Sequence, residues 1–357
     1  MMSGEMLSMN RKITGDIRRS AKELFDAGKI DILVGYRKGS AGYRARPAFI
    51  ASAAEAGELV WDATCSNNIA VYLPQLFQKP PRRAGPGTPV PGGGAAKSGP
   101  RVGFVVKGCD LRSLIALVKE NQAPRENLVL IGVPCRGMID ERKLDAAVSG
   151  AEVVSIDDGG DTATAALSDG RSLSFPRESL VQDACTACRN PMPEGVDFLV
   201  AGAGREPGDG GEGLVSGFRK LADTERWRRF SGEISRCIRC YACRQACPTC
   251  YCTECFADLN SPAWIGASNE LTDTMIFHLI RIFHQAGRCV ECDACLRACP
   301  MHIDLRTFTK KIAADVRELF GFTPDFDPKT PPPLCTYKED DRQGFITEPG
   351  KGLPPKG

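Results

Sequence analysis

Any chemistry in this chain has to be built on cysteine, which supplies 17 of its 357 residues. The stretch "CIRCYACRQACPTCYCTEC", from Cys237 to Cys255, holds seven of them. Within it, Cys237, Cys240, Cys243 and Cys247 follow a C-x2-C-x2-C-x3-C-P spacing. The same spacing returns at Cys289, Cys292, Cys295 and Cys299. Thiols this dense serve as disulfides, zinc ligands or iron–sulfur ligands. A chain long enough to bury a sizeable core does not need disulfide staples. C-x2-C pairs also hold zinc, but a four-cysteine run closed by proline and then duplicated suits a cubane better. Three thiolates two residues apart wrap one turn of backbone around the cluster, and the fourth points away towards the other repeat. Proline, lacking an amide hydrogen, ends the loop.

Over about residues 230–310 the repeats resemble the two-cluster [4Fe–4S] ferredoxins. Between them, residues 268–288 place Leu271, Met275, Leu279, Ile282 and Ala286 on one helical face, with Gly287 as a stop. This insertion resembles the helical ferredoxin domains of multi-subunit reductases. The resemblance implies crossed ligation, one cluster on Cys237, Cys240, Cys243 and Cys299 and the other on Cys289, Cys292, Cys295 and Cys247. Cys250, Cys252 and Cys255 are left over. They either join Cys335 in a further site or line the two clusters, and the second is the simpler reading. His278 and His284, six residues apart, do not share a helical face and read as structural or surface residues. His302 is a candidate for tuning a cluster by hydrogen bonding.

The elements that must position these residues fall into two regions. Composition is ordinary for a globular protein, 42% hydrophobic and 25% charged, with a near-balanced formal charge of +2 that argues neither for nor against nucleic acid as an overall partner. No apolar run is long enough to span a membrane and no secretory leader is apparent, so a cytoplasmic location is expected. Residues 11–27 carry Ile13, Ile17, Ala21, Leu24 and Phe25 near helical spacing. Residues 31–36 and 47–52 read as strands and 66–77 as a helix. The Pro/Gly-rich stretch 79–100 reads as a flexible insertion. Strand 101–108, helix 110–121 and strand 127–134 form a parallel βαβ pattern, with further strands at 151–157 and 196–202. Residues 202–213 read as a hinge, because the surroundings of a dinucleotide-binding loop are missing. Cys109 and Cys135 each follow an apolar strand, where α/β sheets place their sites. Cys185 and Cys188 form a C-x2-C loop, and Cys65 stands apart.

"GVPCRGM" and "CTACRNPMPEGVDFLVAG" resemble motifs of the coenzyme F420 hydrogenase/dehydrogenase beta-subunit family, over about residues 30–205. That family binds FAD and a [4Fe–4S] cluster and passes electrons between a soluble hydride carrier and partner subunits. The resemblance implies a third cluster on Cys135, Cys185 and Cys188, with Cys109 preferred to Cys65 as fourth ligand, and FAD as a further candidate cofactor. The basic run 218–240 reads as a solvated helix face or a docking surface rather than a nucleic-acid site.

The expected fold is an α/β N-terminal domain with a partly parallel sheet, followed by a mostly helical dicluster ferredoxin domain. Its expected divisions are 1–205, 214–320 and an extended tail, 321–357. The expected role is an iron–sulfur electron-transfer subunit of an anaerobic oxidoreductase complex. Its partner would be a dehydrogenase, hydrogenase or heterodisulfide-reductase-like module. The alternatives are a flavin-bearing catalytic subunit acting on F420 or NAD(P)H, and a zinc-bearing interaction module. No nucleophile–base constellation marks a catalytic residue.

Overall fold

The computed structural model describes residues 2–40, 42–77 and 99–337. Most of the insertion expected at 79–100, and residues 338–357, lie outside them. Helix α1 (Met2–Asp26) buries the expected stripe of Ile13, Ile17, Ala21 and Leu24. Strands β1 (Ile32–Lys38), β2 (Ala45–Ile50), β3 (Val102–Val106) and β4 (Leu128–Gly132), with a short last strand Phe198–Leu199, make a five-stranded sheet. β2 pairs antiparallel with β1 at the edge. The other pairings are parallel, through Ile32↔Val102, Val102↔Leu128 and Ile131↔Phe198. β3 is buried at every position, as its unbroken apolar run requires. Helix α2 (Gly108–Lys119) makes the crossover to β4, and a right-handed crossover sets the carboxyl ends of β3 and β4 side by side. The helix expected at 66–77 begins only at Ile69, as a 3₁₀ turn running into Leu73–Phe77. Asn68 holds it there by capping the Ala70 amide.

A second sheet of β5 (Val153–Asp158), β6 (Thr162–Leu167) and β7 (Ser172–Pro176) is an antiparallel meander. It packs Ala163, Ala165 and Leu167 on Leu144 of α3 (Glu141–Ala147). The second half of the chain is helical: α4 (Glu212–Arg219), α5 (Asp223–Ile234), α6 (Leu271–His284) and α7 (Arg306–Phe320). Phe308 stands edge-on to both Phe218 and Phe230, and Ile234, Ile282, Ile303 and Leu305 complete this core. The chain is thus an α/β region with a partly parallel sheet, then a helical cysteine-rich region, as expected. No described helix is long and apolar enough to cross a membrane.

Several local expectations are corrected. α6 buries Thr274, Phe277, His278, Arg281 and Ile282, whereas Leu271 is exposed. Of the face chosen by aliphatic spacing, Ile282 is buried and Met275 and Leu279 pack beside Cys237 and Cys299, whereas Leu271 falls outside it. Residues 202–213 are no loose hinge, for Gly208 and Gly210 donate to the carbonyls of Cys188 and Ala187 at 2.6 and 2.8 Å. A Cβ on Gly208 would collide with the Thr186 carbonyl, so the glycine is there for close packing. The basic run is largely self-neutralised, with Arg228 on Glu225 at 2.6 Å and Arg226 and Arg236 on Asp223 and Glu233. The tail begins packed. Arg112 Nε donates to the Pro324 carbonyl at 2.9 Å, and Lys119 pairs with Asp325 at 3.0 Å.

Candidate metal centres

Cys109 opens α2 directly after β3, and Cys135 follows β4. With Cys185 and Cys188 they line one cavity at that edge of the sheet. Gly108 makes the meeting sterically feasible, because a Cβ there would overlap the Asn190 carbonyl oxygen. The C-x2-C loop is then tied down by the Cys135 amide, which donates to the Pro191 carbonyl at 2.9 Å. Backbone amides already point at the sulfurs: Gly137 at Cys135 Sγ and Met138 at Cys185 Sγ, each at 3.4 Å. The Cys135 loop is clamped from behind by Arg177, which donates to the carbonyls of Arg136 and Gly137 at 3.0 and 2.7 Å and pairs with Asp158 at 2.8 Å. Lys107, 2% exposed, adds a fixed positive charge to the cavity wall. It is held by Asp110, by Tyr36 and by the carbonyls of Cys65 and Asn67. Burial pushes the Cys135 thiol up to about 12, and the neighbouring Cys185 adds to the shift. Thiols crowded in this way become thiolates readily only against a cationic core. Cys65, fully buried with its sulfur near the Asp62 amide, does not reach this cavity.

The two repeats share an unusual backbone. Arg239 and Tyr241 have φ of 52° and 60°, and their counterparts Glu291 and Asp293 have 59° and 53°. Four non-glycine residues in the left-handed region are costly. What the conformation provides is a nest of amides converging on an anion, and the Arg239 and Glu291 amides lie 3.3 and 3.4 Å from Cys237 Sγ and Cys289 Sγ. Cys237, Cys240, Cys243 and Cys299 line one cavity, together with Cys295 and His278. His278 is not a surface residue: it is 2% exposed, and its Nε2 lies 3.3 Å from Cys237 Sγ. The other quartet is less enclosed. Cys289, Cys292 and Cys295 each feel the charge of Cys247, but among the described residues Cys247, Cys292 and Cys295 are divided between cavities. Cys292 instead faces the Cys109 cavity and Cys295 the Cys237 cavity. Among the described residues, no three His, Cys, Asp or Glu side chains close tightly enough to hold a single metal ion.

Contacts between the two regions hold the quartets in register. Arg297 donates to Gln182 and the Ser66 carbonyl, each at 3.0 Å, and Arg142 to the Cys299 carbonyl at 2.6 Å. Glu120 receives both Arg288 and Tyr251, the latter at 2.6 Å. His302 and Cys335 are exposed. Sequence reasoning missed Gly108, Lys107 and Arg177, and only the K-G-C order after an apolar strand signalled the first two.

Thiol quartets laid across an α/β sheet edge and a duplicated helical motif are the arrangement of an electron-transfer protein. Residues 99–215 match the model for the C terminus of the beta subunit in the coenzyme F420 hydrogenase/dehydrogenase family. The chain is 22% identical, over an alignment of 383 positions, to the F420-dependent formate dehydrogenase subunit beta of Methanocaldococcus jannaschii, covering 89% of this chain and 93% of that one. It is also 22% identical, over 386 positions, to the F420-dependent formate dehydrogenase 1 subunit beta of Methanococcus maripaludis, covering 90% and 92%. A chain of the F420-reducing [NiFe] hydrogenase complex from Methanosarcina barkeri aligns with a TM-score of 0.34 and 11% identity over 50% of this chain and 58% of that one, which is too weak to bear on the fold.

Proposed function

We propose that this chain is an iron–sulfur subunit of an oxidoreductase complex, relaying electrons between a partner enzyme and a soluble carrier. Cys109, Cys135, Cys185 and Cys188 would hold one [4Fe–4S] cluster. Cys237, Cys240, Cys243 and Cys299 would hold a second, and Cys289, Cys292, Cys295 and Cys247 a third. One observation carries the reading: Cys292 lines the cavity of the α/β quartet while Cys295 lines that of the first repeat. The middle quartet thus shares a cavity lining with each neighbour, from the sheet edge to exposed Cys240. Bound clusters supply one-electron transfer. The chain's own residues fix their spacing, direct amides at the ligand sulfurs and place Lys107 and Arg281 as buried positive charges.

In this reading residues 1–205 and 214–320 are two halves of one relay, and Ile238 and Met301 beside Cys240 form its exposed end. The partner is a dehydrogenase, hydrogenase or heterodisulfide-reductase-like module, in keeping with the formate dehydrogenase beta subunits this chain resembles. The test is anaerobic purification followed by iron, sulfide and zinc analysis and electron paramagnetic resonance. Iron and sulfide in similar amounts, with interacting [4Fe–4S]⁺ signals on reduction, are expected. Zinc with essentially no iron would refute the proposal and favour an interaction module.

A second reading, a flavin-bearing subunit acting on F420 or NAD(P)H, is favoured by another cavity. Trp61, Thr64, Arg11, Arg18 and Lys38 line it with Asp62, Asp157 and Asp158, and since Asp62 pairs with Lys38 at 2.8 Å, Arg11 and Arg18 are the cations that would meet a flavin's pyrophosphate beside Trp61. Tight FAD binding by the purified chain is expected on this reading. Protein that stays flavin-free when supplied with FAD would leave it a relay alone.

A further inference from the structure

Three cysteines of the opening stretch have no place in the quartets. Cys250, Cys252 and Cys255 lie on a loop without regular structure, are not in disulfides, and line one cavity that also takes in His284 and reaches Val71 and Pro74 of the α/β region. Resting on the function proposed above, we propose that this cavity is a fourth iron–sulfur site, held by the thiolates of Cys250, Cys252 and Cys255 and the imidazole of His284.

A sign of anionic occupants is Arg281, which faces this cavity and also Cys247 of the middle quartet, part of the same lining. It is 4% exposed and lines this cavity, and its Nε and Nη1 have no hydrogen-bond partner. Only Nη2 is engaged, on the Cys243 carbonyl at 3.0 Å. Among the described residues no carboxylate pairs with it. Arg244 and Arg288 line the same cavity, but Asp258 and Glu120 neutralise them. A guanidinium buried without a counter-ion is costly, and a negatively charged cluster beside it removes the cost.

The thiols are also supplied with a donor of the kind that ligand sulfurs take: Gln285 Nε2 lies 3.4 Å from Cys250 Sγ. His284 stands edge-on to Phe256, with ring centroids 5.9 Å apart. Among the described residues no three of these side chains close on a single metal ion, as is also true of the quartets, so the site is assigned to a cluster and not to a mononuclear metal. Because Cys250 adjoins Cys247, the new site continues the relay from the middle quartet to a second opening at exposed Cys252.

The experiment counts iron in the anaerobically reconstituted full chain and in the double variant Cys252→Ser/Cys255→Ser, by native mass spectrometry and chemical analysis. Wild type is expected to hold about sixteen irons per chain, and the variant about four fewer, with the interacting signals of the two motif clusters unchanged. Equal iron in the two proteins overturns the site. Should the double variant fail to fold, single Cys252→Ser, which alters the exposed thiol alone, is expected to show the same loss, and full iron retention there is equally decisive against it. His284→Ala is expected to give a three-iron cluster signal on mild oxidation, and an unaltered spectrum removes His284 from the ligand set. Wild type without any iron would instead sink the proposed function itself, so the two failures are distinct.

Discussion

Replacing His278 with phenylalanine tests the first repeat in the most quantitative way. The ring is buried, its Nε2 lies 3.3 Å from Cys237 Sγ, and its Nδ1 has no partner. Burial, with Arg281 and Arg239 nearby, holds its pKa down to about 4, so the ring is neutral and carries one proton. On Nε2 that proton makes a bond to sulfur, whereas on Nδ1 it makes none. A ligand sulfur gains negative charge when its cluster is reduced, so the bond favours the reduced form and raises the potential. A hydrogen bond to a charged group contributes about 1.5–3 kcal/mol. Taking about 59 mV for each tenfold change in a one-electron equilibrium, that range caps the effect at about 60–130 mV. The oxidised form keeps part of the bond, so roughly half of this is expected. His278→Phe keeps the ring's bulk against Phe277 and should lower one midpoint by about 30–60 mV, leaving the α/β cluster where it was. A redox titration followed by electron paramagnetic resonance at low temperature reads this directly. An unchanged midpoint with the cluster fully retained would refute the assigned donor, and a raised one would reverse the sign of the argument.

Other substitutions probe the remaining parts. Gly108→Ala drives a Cβ against the Asn190 carbonyl, so it should displace the C-x2-C loop and remove about four irons per chain, measured against wild type after reconstitution. Cys188→Ser should cause the same loss, whereas Cys65→Ser should keep its iron; the reverse result would make Cys65 the ligand. Cys243→Ala should abolish one motif cluster and weaken retention of the other, seen as faster iron release to a chelator. Asp158→Ala leaves Arg177 buried without its carboxylate, the two side chains being 5% and 7% exposed. A loss of about 3–5 kcal/mol is expected in denaturant melts of the iron-loaded chain.

The eight motif cysteines are legible in the sequence because ligand spacing is a local property of the backbone. The β3–α2–β4 unit is legible because parallel strands buried on both sides leave unbroken apolar runs. The pairing of quartets is not, since Cys292 reaches the Cys109 cavity across more than half the chain and no local pattern records it. The aliphatic residues of α6 mark its core side through Met275, Leu279 and Ile282 but not the burial of His278 and Arg281, whose polar ends meet the Cys237 sulfur and the Cys243 carbonyl. The glycines at 202–213 suggest flexibility, although Gly208 and Gly210 press the chain onto the Cys188 loop. The β6–β7 hairpin escapes notice because "TATAALSDGRSLSFP" offers alanine and serine where strands usually show branched and aromatic residues.

The duplicated left-handed backbone has a consequence for the direction of flow. At matching positions the first repeat carries Arg239 and Tyr241, the second Glu291 and Asp293. Arg239, 7% exposed, has only carbonyl and hydroxyl acceptors, those of Gly266, Ser268 and Tyr241. Glu291 is offset by Lys310 at 3.3 Å, and Asp293 lies 4.0 Å from Arg306. The scaffold is therefore symmetric in shape and polarised in charge. An added electron is a negative charge, so in such a cluster it would rest lower in energy beside Arg239, which has no carboxylate partner, than beside carboxylates that Lys310 and Arg306 only offset. Duplication alone would have produced two equal stations. Divergence at four side chains makes them unequal, and on the relay proposed above this would draw charge from the sheet edge towards Cys240.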